Sequence, residues 1–91
     1  MNKAAANALY EAERKGVKQI KWQLHDTEGG RCASGVLADA LLGTTSVQTR
    51  WSELIGLAGM TSDEWSRMVV LNNIDSLTFS EIARKLGPDS A

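Results

Sequence analysis

Two side chains could form a thiol–imidazole pair, Cys32 and His25, the chain's one cysteine and one histidine. They flank the turn carrying Gly29 and Gly30 in "HDTEGGRCASG". A working pair needs hydrogen-bond reach and a third group to orient the base. Asp26 is the nearest carboxylate to His25, but neighbours on a strand point to opposite faces. Plainer roles fit better: Cys32 as a small buried hydrophobe and His25 as a surface residue. One histidine and one cysteine cannot complete a zinc site without carboxylates from elsewhere. "EGGRCASG" has neither Walker nor dinucleotide-binding spacing. The expectation is a protein without catalytic residues, metal or cofactor.

The tail "LTFSEIARKLGPDSA" poses a different chemistry, because "EIARKLG" reads like the first half of a helix-turn-helix. That motif runs about twenty residues and places its second helix in the major groove. Aligning Ile82, Ala83, Leu86 and Gly87 with its first helix and turn starts the motif at Phe79. Only residues 87–91 then remain for the turn and reading helix, with Pro88 inside the turn. Charge also argues against it. Residues 62–91 carry three Lys or Arg against five Asp or Glu, the wrong sign for phosphate. The whole chain has a net charge of −1 and a pI near 5.7, whereas dedicated nucleic-acid binders usually have a pI above about 9. The reading is a capped closing helix that turns Phe79, Ile82 and Leu86 into the core. Nucleic acid is disfavoured as a partner, and a DNA-binding regulator with a degenerate motif is kept as the alternative.

Three tryptophans, Trp22, Trp51 and Trp65, stand against one Phe and one Tyr. Either they cluster in the core, or at least one is left at the surface as an interface anchor, a role in which Trp is enriched. All three are candidate interaction residues.

The elements that must position these groups fit one domain over residues 1–91. A chain this size buries roughly 60–70% of its unfolded surface, and 43% hydrophobic with 23% charged residues is ordinary for a soluble domain. Residues 3–15 are strong helix formers, and Arg14 and Lys15 before Gly16 make a stop signal. The stripe Ala5, Ala8, Leu9 and Ala12 would pack inward or accept a second copy, so a homo-oligomer stays open. Ile20, Trp22 and Leu24 alternate with polar residues as in a half-buried strand. "DTEGG" supplies a turn, and residues 31–33 a return strand. This predicts a short two-stranded β-hairpin near residues 19–33, resting on a helix because such a ribbon is marginal alone.

Ser34 is the expected N-cap of a second helix ending at Gly43, with Val36, Leu37, Ala40 and Leu41 inward. "TTSVQT" reads as a polar connection. A short third helix holds Trp51, Leu54, Ile55 and Ala58, weakened by Gly56 and Gly59. Thr61 with Glu64, and Thr78 with Glu81, spell capping boxes for two more helices. The first of these puts Trp65, Met68 and Val69 on one face, and Gly87-Pro88 ends the second. The fold class expected is mainly α, a small compact domain of four to five helices plus the hairpin. No run reaches membrane-spanning length or resembles a signal peptide. With a single cysteine, this suggests a cytoplasmic protein without disulfides.

"LHDTEGGRCASGVLADAL" and "LNNIDSLTFSEIARKL" together resemble a family of small uncharacterised proteins of actinobacteria and their phages, a domain of unknown function. The family pattern has an acidic residue, a glycine turn, then Cys and Gly opening a helix. About forty residues on come an Asn-Asp pair, a Thr and an amphipathic closing helix. Here Asn72 matches the Asn, Asn73 replaces the Asp, and Thr78 and Phe79 open the closing helix. The resemblance runs from Trp22 to Leu86 and implies no enzymatic role. Physically, Gly29, Gly30 and Gly35 would permit tight backbone, and Cys32 would fit beneath a helix start. Asn72 and Asn73 would finish the fourth helix, since Asn tolerates left-handed backbone. The functional expectation is an accessory protein that binds another protein, for instance one of the host's.

Overall fold

The computed structural model describes residues 1–43 and 50–88. Its helices are α1 (Lys3–Arg14), α2 (Ala33–Leu42), α3 (Trp51–Leu57), α4 (Ser62–Asn73) and α5 (Phe79–Leu86). Among the described residues there are five helices and no strand, so the domain is mainly α. The polar connection expected at 44–49 lies outside the described residues, as do residues 89–91.

The helix ends follow local chemistry. Thr61 and Thr78 each accept from the backbone N–H three residues on, while Glu64 and Glu81 reach back to the cap N–H. Both capping boxes therefore form as the sequence spells them. Gly16 follows α1 and Gly43 follows α2, both in left-handed backbone. Asn2 caps α1 through its side chain, and its backbone N–H and amide also bond Ala58 O and Leu57 O at the end of α3. Helix α3 is short, as its glycines suggest.

The core collects Leu9, Leu37, Leu54, Met68, Phe79 and Ile82, all fully buried. Helix α1 packs most extensively on α5 and next on α2, and α4 touches both α5 and α2. The alanine stripe of α1 faces inward: Ala5, Ala6, Leu9 and Ala12 are buried and Ala8 packs against them. Phe79, Ile82 and Ala83 of α5 are buried too, so the helix-turn-helix-like tail fills the interior. On α2 the buried face is Ala33, Val36, Leu37 and Ala38, whereas Ala40 is exposed.

Two local expectations are corrected. The hairpin near 19–33 does not form, and pairing shrinks to isolated bridges of Arg31 with Gln19 and with His25. The cause lies at Trp22, whose φ of 65° is left-handed and breaks the extended path. Its N–H then bonds Asn73 Oδ1, and Ile20 O accepts from Asn72 Nδ2, so α4 takes bonds that a partner strand would have made. The N-cap of α2 is Cys32 rather than Ser34: Cys32 Sγ accepts from Gly35 N at 3.4 Å. Ser34 sits inside the first turn.

Phe79→Ala empties the largest fully buried side chain and should cost about 3–5 kcal/mol, a large share of the roughly 5–15 kcal/mol total of a small domain. Urea denaturation would measure it as a drop in midpoint at constant slope. An unchanged midpoint would mean that α5 does not hold the interior.

Candidate functional site: a tryptophan-lined cleft

The segment 19–33 has no ladder, and its few backbone bonds, such as Ile20 N to Arg31 O and Cys32 N to Leu24 O, are supplemented by side chains of α4. Asn72 lies in the last turn of that helix, 2% exposed. Its Oδ1 accepts from Ala33 N at 3.1 Å and from Gln19 Nε2 at 2.8 Å. Its Nδ2 donates to Ile20 O at 2.9 Å and to Asn73 Oδ1 at 2.8 Å. One amide offers two donor hydrogens and two lone pairs, and all four are used. Gln19 Nε2 also donates to Leu77 O at 2.7 Å, which ties the segment to the approach to α5.

The expected role of the asparagine pair is corrected here. Neither takes left-handed backbone. Both are helical, and their side chains clasp the preceding segment. Asn72 could have been found in the sequence, because it continues the buried stripe of Trp65 and Met68 at i, i+3 and i+7. A polar residue on an apolar stripe needs partners.

Glycine and aspartate shape the rest of the segment. Asp26 Oδ1 accepts from Glu28 N at 2.9 Å and Gly30 N at 2.7 Å, closing the turn through Gly29 at φ 86°. A Cβ on Gly30 would meet Asp26 Oδ2 at 2.7 Å. At Gly35 the approach is tighter still: a Cβ there would stand 2.0 Å from Leu24 O. Helix α2 thus lies directly on the backbone of the segment, which explains a glycine one turn into it.

This clasp draws the candidate residues together. Trp22, Trp51, Trp65, Cys32, Asn72 and Asn73 all border one cleft of about 450 Å³. That lies within the roughly 300–1,000 Å³ range of ligand sites. Leu24, Ile55 and Val69 extend its apolar wall. Trp65 is 8% exposed and meets Trp51 edge to face, with ring centroids 5.9 Å apart and planes at 68°. Trp51 is 37% exposed and Trp22 is 72% exposed, at the lip. The tryptophans therefore divide between the two expected roles: one is core, two are accessible. Gly29, Gly30, Gly35, Thr78 and Phe79 shape or support the domain and do not border the cleft.

The electrostatics are simple. None of the side chains bordering the cleft is charged. Cys32 is buried, its sulfur engaged by Gly35 N, while His25 is exposed and lies outside the cleft. The structure thus gives the pair no shared cavity. Among the described residues no group of three or more His, Cys, Asp or Glu could hold a metal ion. No described helix is long and apolar enough to cross a membrane. Comparison with protein-family models, curated proteins and solved structures finds no match to this chain.

Carboxylates outside the cleft hold the scaffold. The backbone N–H groups of Gly30 and Glu28 hold the Asp26 carboxyl below its ordinary 3.8. Glu64 and Glu81 are held below 4.5, chiefly by the N–H groups of Thr61 and Thr78. Glu13 is lowered by hydrogen bonding to Ser80 of α5.

Two outcomes are expected. Asn72→Ala strands a buried Ala33 N–H and removes the clasp on Ile20 and Gln19, at a cost of about 3 kcal/mol, read as a lowered urea midpoint. A loss below about 1 kcal/mol would show the clasp to be dispensable. The lowered carboxylates are harder to protonate folded than unfolded, so their stabilising effect is complete above 4.5 and is lost as pH falls below it. Melting followed by circular dichroism should therefore be flat near neutrality and decline below that value, and less so for Asp26→Asn. A melting temperature that rises on acidification would contradict this.

Proposed function

We propose that this chain is a non-catalytic binding protein that engages a protein partner by seating an apolar side chain in the tryptophan cleft. The observation that carries the reading is Trp22. It is the most exposed large hydrophobic residue among those described, and its backbone is left-handed. A non-glycine residue in that region costs roughly 1–2 kcal/mol, and an exposed indole gains little packing within its own chain. Strain of this kind concentrates at binding sites. Opposite Trp22, Trp51 is also accessible, so two rings from separate elements face one apolar cavity. Trp is enriched where a few anchors carry most of the affinity.

The resemblance of the glycine-turn and closing-helix motifs to the actinobacterial and phage family supports an accessory role, with a host protein as the partner. A nucleic-acid ligand fits the cleft less well, since no cation borders it to neutralise phosphate.

Selection of displayed random peptides on the immobilised protein tests this. Enriched sequences should carry a shared apolar anchor, and their affinity should fall at least about tenfold for Trp22→Ala or Trp51→Ala, the loss of about 1.4 kcal/mol expected at an interface hot spot. Circular dichroism melting of each variant checks that the fold is kept, since Trp51 also packs on Trp65. Peptides that bind wild type and the double variant equally, or no enrichment at all, would overturn the reading.

A further inference from the structure

The groups around the cleft that are still unused specify what its occupant must offer. Apart from the exposed Gln23 carboxamide and the Ser34 hydroxyl oxygen, the acceptors are largely spent. Asn72 Oδ1 holds two donors, Asn73 Oδ1 accepts from Trp22 N and Asn72 Nδ2, and Leu24 O accepts from Cys32 N. The donors are not. Ser34, in the first turn of α2, is 6% exposed, and its hydroxyl has no hydrogen-bond partner among the described residues. Trp65, 8% exposed, has no partner for its indole N–H among them either. Every fully buried side-chain nitrogen or oxygen among the described residues has a partner, so these two atoms retain contact with the open space the residues border. The amide of Asn73 is fixed by its two acceptor bonds, which leaves its Nδ2 hydrogens unengaged at the same cleft. A deep apolar site lined with unused donors asks for an acceptor.

Charge narrows the choice. With no carboxylate at the cleft, a cation would have only the indole faces to compensate it and would be opposed by the unused N–H and O–H donors. A carboxylate would face the start of α2, but the donors there are mostly taken: Ala33 N by Asn72, Gly35 N by Cys32 Sγ, and Val36 N by Cys32 O. Those that remain, the Ser34 hydroxyl, the Trp65 indole N–H and the Asn73 amide, are neutral, and with no cation bordering the cleft they compensate a full negative charge less well than the partial charge of a carbonyl.

We infer that the cleft takes an uncharged apolar group bearing a carbonyl acceptor. In a protein partner this is an internal apolar residue with its backbone carbonyl, not a chain terminus or a charged side chain. The inference rests on the binding role proposed for the cleft and adds the chemistry of its occupant. The carbonyl meets Ser34 Oγ–H and Trp65 Nε1–H, and the side chain lies between Trp22 and Trp51.

Three soluble probes with one side chain test it: N-acetyl-leucine methylamide, neutral; N-acetyl-leucine, anionic; and leucine methylamide, cationic. The protein's three indole N–H resonances in a nitrogen–proton correlation spectrum give the readout, that of Trp65 being assigned by its disappearance in Trp65→Phe. The neutral probe should shift the Trp65 resonance and bind at least about tenfold more tightly than either charged probe, the uncompensated charge accounting for the difference. Ser34→Ala, checked for an unchanged melting curve, should weaken the neutral probe several-fold and leave the charged probes where they were. A charged probe that matches the neutral one, or a Trp65 resonance that none of them moves, would overturn the inference. Failure of this inference and of the binding role can be told apart. Selected peptides that need Trp22 but anchor through a free carboxylate or a charged side chain would sink the inference and leave the binding role standing. Neutral-probe binding without any selected peptide would do the reverse.

Discussion

The domain depends on one buried amide. Asn72 joins α4 to the start of α2, to Ile20 and to Gln19, and so replaces the ladder that residues 19–33 do not make. In a hairpin, register is set by repeated backbone bonds between two strands. Here a few backbone bonds, Ile20 N to Arg31 O and Cys32 N to Leu24 O among them, are joined by one side chain with four partners, helped by Asn73 at Trp22. The segment is thereby locked to a helix as well as to itself. A buried polar group stabilises only when its hydrogen bonds are complete. This hub is complete, which is why a small core can hold it.

The same clasp sets the shape of the cleft. Ala33 N is held on Asn72, so α2 begins at Ala33 and Cys32 becomes its cap. Gly35 then rests against the Leu24 carbonyl, where any side chain would collide. With α2 that close, Leu24 and Trp22 are placed on one side of the cavity, opposite Trp51 and Trp65 from α3 and α4. The left-handed turn at Trp22 is a consequence of the same geometry, because Asn73 holds its N–H. The strain at Trp22 and the satisfaction of the asparagines are thus one arrangement.

What was legible in the sequence was local. Both capping boxes, the glycine ends of α1 and α2, the short α3 and the inward face of α5 each depend on a few neighbouring residues, and they form as read. The hairpin was misread because alternation describes where side chains would point if the chain were extended. It says nothing of a helix fifty positions on that offers better bonds. Ser34 fails as a cap for a related reason: its propensity is right, but Asn72 holds Ala33 N and the helix starts two residues earlier than a Ser34 cap would allow. The meeting of Trp22, Trp51 and Trp65 had no sequence signal, since no period links positions on three separate elements. Asn72 did have one, an amide on the apolar stripe of α4, and it was the strongest pointer to the site.

The distribution of used and unused chemistry at the cleft favours the binding role proposed above. Of the two nucleophilic atoms at the cleft, the Cys32 sulfur is engaged in capping a helix, and no imidazole or carboxylate borders the cleft beside the Ser34 hydroxyl. The exposed imidazole of His25 lies away from it, and both asparagine carbonyls are committed to the scaffold. What stays available is aromatic surface and neutral donors. Aromatic faces give contact area at little entropic cost, and neutral donors orient an acceptor placed against them. Catalysis needs groups that interact more strongly with a transition state than with a ground state. In the binding role proposed above, a rim of indole rings over unengaged N–H and O–H groups would interact with a bound group as it is.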